Sequence, residues 1–437
     1  MKYKQNKKKH DFEEIVFFND KLYVFTSLFL KREKEVKYFY GKLNMTTLQL
    51  EGELIEFASE PFSENKKIGF ISVTSHEDRI MVYQSIALLD GELEKFKCLV
   101  FNKKMELEEF SVQLPYVDEK YVRGKFTYDG KDKIYLLGKE YLYEDDNPAK
   151  LIKKVMHFIC YDLKSHEIVD RTIGLGDDMP SKDMLRFNSE TGEFLIAGFY
   201  SKNHTLDQGG VFFCKVNPDN MVMSEVVKKD FDKEFILSFY SEEGGDEYLE
   251  GFEEDNQSLA LINHKLRYLF PVSDGGIVLL VEKQYDFTKT SYKSDGSGKT
   301  YNCYAYNDII AIKLSKSNKI DWCVKIPKLQ KTCDDLAEHS SFILVENGDN
   351  LDLYYNDFPE NLHVDHSWEM KYELFKNYRT RIIRASLTLD GEVTREIMHS
   401  AGLEVLFDAD FSHYLSDNQI LTFYQKYRTR HFGFIKF

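Results

Sequence analysis

The residue types best suited to bind a metal lie in one short segment, where His363, Asp365, His366 and Trp368 occur within six positions. Imidazole and carboxylate groups are ligands of borderline metals, and His-x-Asp-His spacing can bring them together. No second cluster in the sequence supplies a recognisable third or fourth ligand. We therefore predict no metal and no cofactor, and interpret Trp368 as an anchor of the loop or as a hot spot for a partner.

Aromatic side chains dominate a second segment, residues 284–307, on both sides of a Ser-Asp-Gly-Ser-Gly turn. They are Tyr285, Phe287, Tyr292, Tyr301, Tyr304 and Tyr306. Their alternating spacing predicts an extended β-hairpin with aromatic rings packed across its strands. The same tyrosines are candidates for a binding platform that accepts a sugar or a peptide.

Acidic residues are concentrated in a third segment, residues 233–263. They are Glu242, Glu243, Asp246, Glu247, Glu250, Glu253, Glu254 and Asp255. Their order does not match a calcium loop of the D-x-[DN]-x-[DN]-G type. We interpret the segment as a solvated loop whose charge favours cationic partners and repels anionic glycans.

Catalytic signatures are missing from the sequence. It contains no G-x-S-x-G elbow, no glycine-rich phosphate loop and no H-E-x-x-H motif. A glycosidase pair of carboxylates would come from distant parts of a repeat protein, so sequence spacing does not test it. A carbohydrate-active hydrolase with an acidic pocket therefore stays open as an alternative to a binding protein.

The elements that must position these segments are β-hairpins, which recur along the whole chain. An apolar strand, a polar turn and a second apolar strand are recognisable seven times, at residues 17–27, 73–85, 126–140, 187–201, 270–283, 344–357 and 414–426. A second alternating hairpin follows each of the first six, and the last copy stops after one further strand. Four strands per unit, repeated about every 60 residues, are typical of a β-propeller.

We therefore predict an all-β protein with one propeller domain at residues 11–437, built of seven four-stranded antiparallel blades, behind a basic tail at residues 1–10. The last blade is either completed by a strand from the N-terminus or left incomplete. Two stacked β-sandwiches, divided near residues 233–265, are the competing architecture. No linker rich in glycine, serine or proline marks a domain boundary.

The three segments described first are insertions into this pattern, at residues 233–263, 284–307 and 357–378. In a propeller, the loop between the second and third strands and the crossover to the next blade emerge on the same face. We therefore expect the three insertions to build one surface, which we call the insertion rim. Because function usually lies on loops held by a rigid scaffold, the rim is the predicted binding surface.

Composition narrows the classes of partner and compartment. A net charge of −15 argues against binding to nucleic acid, and no apolar run is long enough to span a membrane. No signal peptide is recognisable at the start of this sequence. Four cysteines, Cys98, Cys160, Cys214 and Cys303, lie at similar positions in successive units, too far apart to pair with one another, and we interpret them as small core residues.

Residues 274–328 resemble uncharacterised bacterial propeller-like proteins, which are usually exported. The resemblance rests on Ser-Asp-Gly-Gly before a strand, an aromatic hairpin, Tyr-Asn-Asp-Ile and the Trp322 strand, all of which are structural features. It implies a bacterial, extracytoplasmic protein and no catalytic residue, while unpaired thiols and the missing signal peptide fit a cytoplasmic one.

The sequence favours a non-enzymatic propeller that binds or scaffolds a protein or carbohydrate partner through the insertion rim. The candidate contact residues are Tyr285, Tyr292, Tyr301, Tyr304, Tyr306, His363, Asp365, His366 and Trp368. The sequence leaves the oligomeric state open.

Overall fold

The structure is a computed structural model, and it describes most of the 437 residues. The described residues are 3–5, 8–61, 71–76, 78–85, 92–117, 120–129, 132–147, 150–202, 208–241, 244–246, 260–292, 298–317, 319–334, 337–371, 379–398, 405–409, 412–415, 419–426 and 429–436. Within them, no helix has the length and apolar character needed to cross a bilayer. The chain divides into two compact units, residues 1–174 with 219–221 and residues 175–218 with 222–437.

Unit 1 consists of three antiparallel sheets. Sheet 1 contains β1 (Tyr3–Gln5), β2 (Lys8–Phe18), β3 (Lys21–Leu30), β4 (Glu35–Leu43) and β5 (Ile55–Pro61). Sheet 2 contains β6 (Ile71–His76), β7 (Arg79–Ser85), β8 (Leu93–Asn102) and β9 (Leu107–Val117). Sheet 3 contains β10 (Tyr121–Tyr128), β11 (Lys133–Tyr143), β12 (Leu151–Asp162) and β13 (Ile168–Ile173), with a 3₁₀ turn at Glu144–Asp146.

The first hairpin shows how local sequence sets the register. Asn19 and Asp20 both have positive φ, 50° and 57°, and Phe18 pairs with Lys21 across them. Two left-handed residues in a two-residue loop form a type I′ turn, whose twist matches that of the paired strands. Asparagine and aspartate tolerate this conformation better than most residues, so the Asn-Asp pair favours the hairpin directly.

Strands in the middle of unit 1 are buried on both faces. Along β7, Ile80 and Val82 pack against sheet 1, whereas Met81 packs against sheet 3. Because alternate residues point to opposite faces, a strand between two packed sheets must be apolar at consecutive positions, as Ile80 to Tyr83 are. Aromatic rings fill the interface between sheets 1 and 2, where the ring centroids of Phe25 and Phe101 lie 6.2 Å apart.

Unit 2 continues with four sheets. Sheet 4 contains β14 (Met179–Asn188), β15 (Glu193–Ser201), β16 (Gly210–Val216) and β17 (Val227–Asp230). Helix α1 (Lys233–Leu237) precedes sheet 5, which contains β18 (His264–Pro271), β19 (Ile277–Tyr292), β20 (Gly298–Leu314) and β21 (Ile320–Cys333). Sheet 6 contains β22 (Ile343–Asn347), β23 (Asn350–Asp357), β24 (Arg381–Leu387) and β25 (Val393–Ile397), with 3₁₀ turns at Pro359–Asn361 and Ser367–Glu369. Sheet 7 contains β26 (Val405–Phe407), β27 (His413–Leu415), β28 (Gln419–Lys426) and β29 (Thr429–Lys436).

Each sheet of unit 2 packs face to face on the next. Leu279 and Val281 of β19 belong to the apolar cluster shared with sheet 4, while Val278 and Leu280 belong to the cluster shared with sheet 6. A third cluster joins sheet 6 to Ile420 of sheet 7. The described residues thus form seven antiparallel sheets, and the predicted fold class, an all-β propeller of mostly four-stranded sheets, is confirmed.

The described part of the N-terminal segment lies in sheet 1, whereas one of our two predictions for closure placed it in the last sheet. Strand β1 pairs instead with β2 in sheet 1, and β2 begins at Lys8, within the predicted tail. In sheet 7, β29 pairs along one edge of β28, and the short strands β26 and β27 share the other edge. The described part of sheet 7 therefore has three strand positions, in agreement with the alternative of an incomplete last blade.

Three of the four predicted core cysteines, Cys98, Cys160 and Cys214, are buried free thiols. Cys303 is also buried, as predicted, but it is not an unpaired thiol, because it is joined to Cys333 by a disulfide. The two residues are directly paired between β20 and β21, with Cα atoms 4.0 Å apart. The separation of corresponding strands excludes disulfides between blades, whereas Cys303 and Cys333 lie on neighbouring strands of one sheet.

Candidate functional site

The second insertion is a continuous extension of β19 and β20, as predicted. Residues Gln284 to Tyr292 pair with Tyr306 to Gly298 without interruption. Directly paired residues share a face, so Tyr285 and Tyr301 lie on one face of the hairpin, and Tyr292, Tyr304 and Tyr306 lie on the other. The five predicted tyrosines therefore do not form one platform. Tyr292 is 75% exposed, whereas Tyr306 is buried.

The third insertion folds into a loop that presents an aromatic pair. The His366 and Trp368 rings are stacked, with centroids 4.4 Å apart, and Trp368 is 40% exposed. His363 and Asp365, which precede this pair in the loop, are exposed. In the described part of the chain, no group of three or more His, Cys, Asp or Glu side chains could hold a metal ion.

The first insertion begins with α1, which packs aromatic side chains against sheet 5. Asp232 accepts a hydrogen bond from the Phe235 N–H, 2.8 Å away, and so caps the helix. Phe235 and Phe239 follow on one side of it, with ring centroids 5.4 Å apart. Of the eight acidic residues named above for this insertion, Asp246 is described and exposed, and the other seven lie outside the described residues.

Two β-bulges in sheet 5 redirect charged side chains where the apolar part of the sheet ends. The register shifts between Glu282 and Gln284 on β19, and between Asn307 and Ile309 on β20. Lys283 and Asp308 are the residues at these shifts. Bulges often re-aim side chains beside functional sites.

The first and third insertions meet at Lys325 on β21. Its ammonium group donates to the Ser238 carbonyl and lies 5.3 Å from the centroid of Phe239, both just after α1. It also lies 5.1 Å from the centroid of Trp368. We define the Lys325 site as the residues that converge here, namely Ser238, Phe239, Tyr240, Lys283, Asp308, Lys325, Asp365, His366, Ser367 and Trp368.

A buried carboxylate lies at the base of the Lys325 site. Asp308 is 1% exposed, and its Oδ2 accepts a hydrogen bond of 2.7 Å from the Ser367 hydroxyl. Its Oδ1 is buried without a hydrogen-bond partner in the described residues. Burial raises the pKa of Asp308, although Ser367, Lys325 and Lys283 act in the opposite direction.

The positive charges of Lys283 and Lys325 are only partly compensated by nearby negative charge. Burial lowers the pKa of Lys325 and of Lys283, and the negative charge of Asp308 only partly opposes this. The Lys283 ammonium lies 5.2 Å from the Tyr240 ring centroid, and Lys331 lowers its pKa further. Among the described residues, neither Lys283 nor Lys325 forms a close ion pair with a carboxylate. The arrangement favours an anion at this position.

Of the candidates predicted from sequence, His366, Trp368 and Asp365 contribute to the Lys325 site. The five tyrosines and His363 have no described contact with Lys325. Sequence analysis missed Lys283, Asp308 and Lys325, which look like ordinary polar positions on strands. The available signals were the Asn-Asp pair inside the apolar run of β20 and Pro327 inside β21, since a proline in a strand often marks a bulge.

A second buried network supports the same end of sheet 5. Lys328 forms an ion pair of 2.7 Å with Glu282, and both side chains are 0% exposed. Ser341 donates to the other Glu282 oxygen at 2.7 Å. Nearby, Asp357 accepts a hydrogen bond of 2.8 Å from Asn361, which holds the start of the third insertion. We interpret this network as structural, because its groups are buried and satisfy one another.

Asp357 makes the stability of the protein sensitive to pH. Burial raises the pKa of Asp357 from 3.8 to about 6 in the folded state. The folded state therefore binds more protons than the unfolded state between these values, and this group's contribution to stability falls as pH rises through the window. We expect Asp357→Asn, which keeps an acceptor for Asn361, to stabilise the protein by on the order of 3 kcal/mol above pH 6. Urea unfolding at pH 4, 5, 6 and 7 measures this.

The exposed Asp390→Asn variant is the control for that measurement and should follow the wild-type curve. If the free energy of unfolding changed with pH equally for the wild type and Asp357→Asn between pH 4 and pH 6, the assignment of the titration to Asp357 would be contradicted.

In the part of unit 1 that the structure describes, a comparable cluster surrounds His157. His157 Nδ1 lies 3.1 Å from both Asp170 and the Tyr116 hydroxyl, which itself donates to Asp170. Burial, reinforced by Asp170, raises the pKa of Tyr116, so the hydroxyl remains a donor rather than a base. Because Tyr116 belongs to sheet 2 and the other two residues to sheet 3, we interpret the cluster as a polar link between these sheets.

Comparison with known proteins identifies no family. No family model and no curated protein matches the chain. Solved structures that resemble it include the β-propeller domain of the Trilobed protease from Pyrococcus furiosus, with 8% identity, coverage of 97% of this chain and 92% of that chain, and a TM-score of 0.39. The GH43 endo-arabinanase from Bacillus licheniformis has 11% identity, coverage of 75% and 97%, and a TM-score of 0.27. The acylaminoacyl peptidase from Pyrococcus horikoshii has 7% identity, coverage of 79% and 57%, and a TM-score of 0.35. None of these similarities indicates what this chain does.

Proposed function

We propose that this protein is a binding module that captures a partner bearing an anionic group, and that the Lys325 site is its contact surface. The observation that carries the proposal is the convergence of the first and third insertions on Lys325, between the rings of Phe239 and Trp368. Segments added to a repeat have no need to meet if they serve only as connections. Here their side chains surround one charged group.

The charges of the site define the part of the partner that it binds. Lys283 and Lys325 are partly buried, and the carboxylate between them is held by Ser367. A carboxylate or similar anion from the partner would compensate these ammonium groups in a setting of reduced solvent, where charge-assisted hydrogen bonds are strong. A site that attracts anions differs from the negative rim that we expected from the acidic residues of the first insertion.

The aromatic pair supplies the apolar part of the contact. Trp368 exposes 40% of its surface and is held in place by stacking on His366. An exposed, pre-positioned tryptophan beside a cation is a suitable hot spot for a protein and a suitable stacking surface for a sugar. The partner is therefore a protein or a glycan with acidic groups.

The disulfide bears on where this function operates. Cys303 and Cys333 lie in the insertion hairpin and the strand next to it. Disulfides persist mainly in oxidising compartments. The bond supports an extracytoplasmic location for the protein, in line with the resemblance found in the sequence.

Substitutions in the site test the proposal. We expect Lys325→Gln and Trp368→Ala each to weaken capture of an acidic partner by about ten- to a hundredfold, since each removes one charge-assisted or apolar anchor. The measurements are binding to an array of uronic-acid glycans with their neutral counterparts, and pull-down from an extract of the source organism. Lys289→Gln, an exposed lysine on β19 outside the site, is the matched control.

Undiminished capture by the Lys283→Gln/Lys325→Gln/Trp368→Ala variant would refute the site. Turnover of aryl glycosides by the wild type would instead favour the alternative, a carbohydrate-active hydrolase.

A further inference from the structure

Unit 2 contains a cavity of about 170 Å³ between sheets 4 and 5. None of the residues that line it belongs to the Lys325 site. Its apolar lining consists of Val211, Phe231, Phe235, Ile312 and Ile320, and Cys323 completes the wall. Three charged residues, Lys229, Asp230 and Asp232, lie at its exposed side.

The aromatic part of the wall is held in place by its own contacts. The Phe231 and Phe235 rings stack with centroids 5.6 Å apart, and Phe231 also packs on Phe199 at 6.0 Å. Phe235 is positioned by the capping bond from its N–H to Asp232. Both rings pack against the apolar cluster of sheets 4 and 5 without filling the space beside Cys323. A ligand would therefore enter a largely preformed cavity.

The two carboxylates at the cavity already have partners inside the protein, and Lys229 is exposed to solvent. Asp230 accepts hydrogen bonds from the Tyr200 hydroxyl and the Lys202 ammonium, both at 2.5 Å. Asp232 is occupied as the helix cap. Burial raises the pKa of Cys323 to about 12, so the thiol stays uncharged. A charged ligand would gain little from these groups, because the carboxylates are occupied and an ion pair with a solvent-exposed lysine contributes little, whereas an apolar ligand would gain contacts with rings and sulfur.

We propose that this cavity is a binding site for a small uncharged ligand built on one aromatic ring. An apolar cavity of about 150 Å³ stays dry and binds benzene, so the space is of the right size for a single ring. The ring would pack between Phe231, Phe235 and Cys323. A hydroxyl substituent would fit the exposed side, where charged residues and water lie.

Cys323 provides a direct test in the intact protein. Cys98, Cys160 and Cys214 are at most 5% exposed, whereas Cys323 is partly exposed, so Cys323 should be the thiol that maleimide labels first in the native state. At a phenol concentration of about ten times its Kd, measured by calorimetry, we expect labelling at Cys323 to slow about tenfold. Peptide mass spectrometry gives the rate at each cysteine.

Two further ligands and one variant make the test specific. Benzoate, which is charged, and 1-naphthol, which has two fused rings, should not protect Cys323. Cys323→Phe places a ring in the cavity and should abolish calorimetric binding of phenol, whereas Cys214→Ala should retain it. If Cys323→Phe does not fold, the protection measured in the wild type decides the question. The inference is overturned if phenol gives no protection, or if benzoate and 1-naphthol protect equally well.

Discussion

Replacing Lys328 with methionine is expected to lower the free energy of unfolding by about 3–5 kcal/mol, because it leaves the Glu282 carboxylate buried without its ion-pair partner. The two side chains are 0% exposed, and the Nζ to Oε1 distance is 2.7 Å. Arg267 lies 3.7 Å from the other oxygen, too far to take over the interaction. The same ammonium also donates to the Tyr306 carbonyl and to Gln330, at 2.7 and 2.8 Å.

The chain provides a convenient readout and a matched control for this experiment. Its only two tryptophans, Trp322 and Trp368, lie in unit 2, so tryptophan fluorescence during urea unfolding reports on the unit that contains Lys328. Lys371 pairs with Glu360 at the same distance, 2.7 Å, but both side chains are exposed to solvent. Lys371→Met should therefore lower the free energy of unfolding by no more than about 1 kcal/mol.

A double variant separates the loss of the pair from the loss of packing. Glu282→Leu combined with Lys328→Met removes both charges, and we expect it to recover part of the lost stability, because no isolated charge remains buried. A Lys328→Met variant as stable as Lys371→Met would show that the Glu282 carboxylate is not buried without compensation.

Removing the Cys303–Cys333 disulfide is expected to lower the free energy of unfolding by about 3–4 kcal/mol. The bond closes a loop with a sequence separation of 30 residues, and its loss allows more conformations to the unfolded chain. The variant is Cys303→Ser/Cys333→Ser, measured by urea unfolding with and without reductant. Reductant should lower the free energy of unfolding of the wild type to that of the variant and leave the value of the variant unchanged.

Cys323→Ser serves as the control for the disulfide experiment, since it removes a cysteine that forms no disulfide. It should keep the wild-type response to reductant. Wild-type stability that does not change on reduction would argue against the bond between Cys303 and Cys333.

The four-strand repeat could be predicted because its signals are local. The hairpin at Asn19 and Asp20 combines a turn sequence with apolar strands on both sides, and each of these acts over a few residues. The tyrosine hairpin was predictable for the same reason. Its division into two faces follows from the two-residue period of a strand, once the register of β19 and β20 is known.

The Lys325 site could not be predicted in this way. Lys283 and Asp308 owe their directions to bulges, and a bulge depends on how two strands slip relative to each other rather than on either sequence alone. Lys325 meets Trp368 only because a loop of sheet 6 folds back onto β21. The Cys303 pairing likewise required the register of a strand 30 residues away.

Sequence by itself determined the all-β repeat and identified His366 and Trp368 as candidate contact residues. Only the tertiary structure decided which charged groups the insertions enclose, which cysteines are bonded and where a ring-sized cavity remains. The physical reason is the range of the interactions. Turn geometry and alternation act between neighbours along the chain, whereas burial, charge compensation and cavities depend on side chains that distant segments bring together.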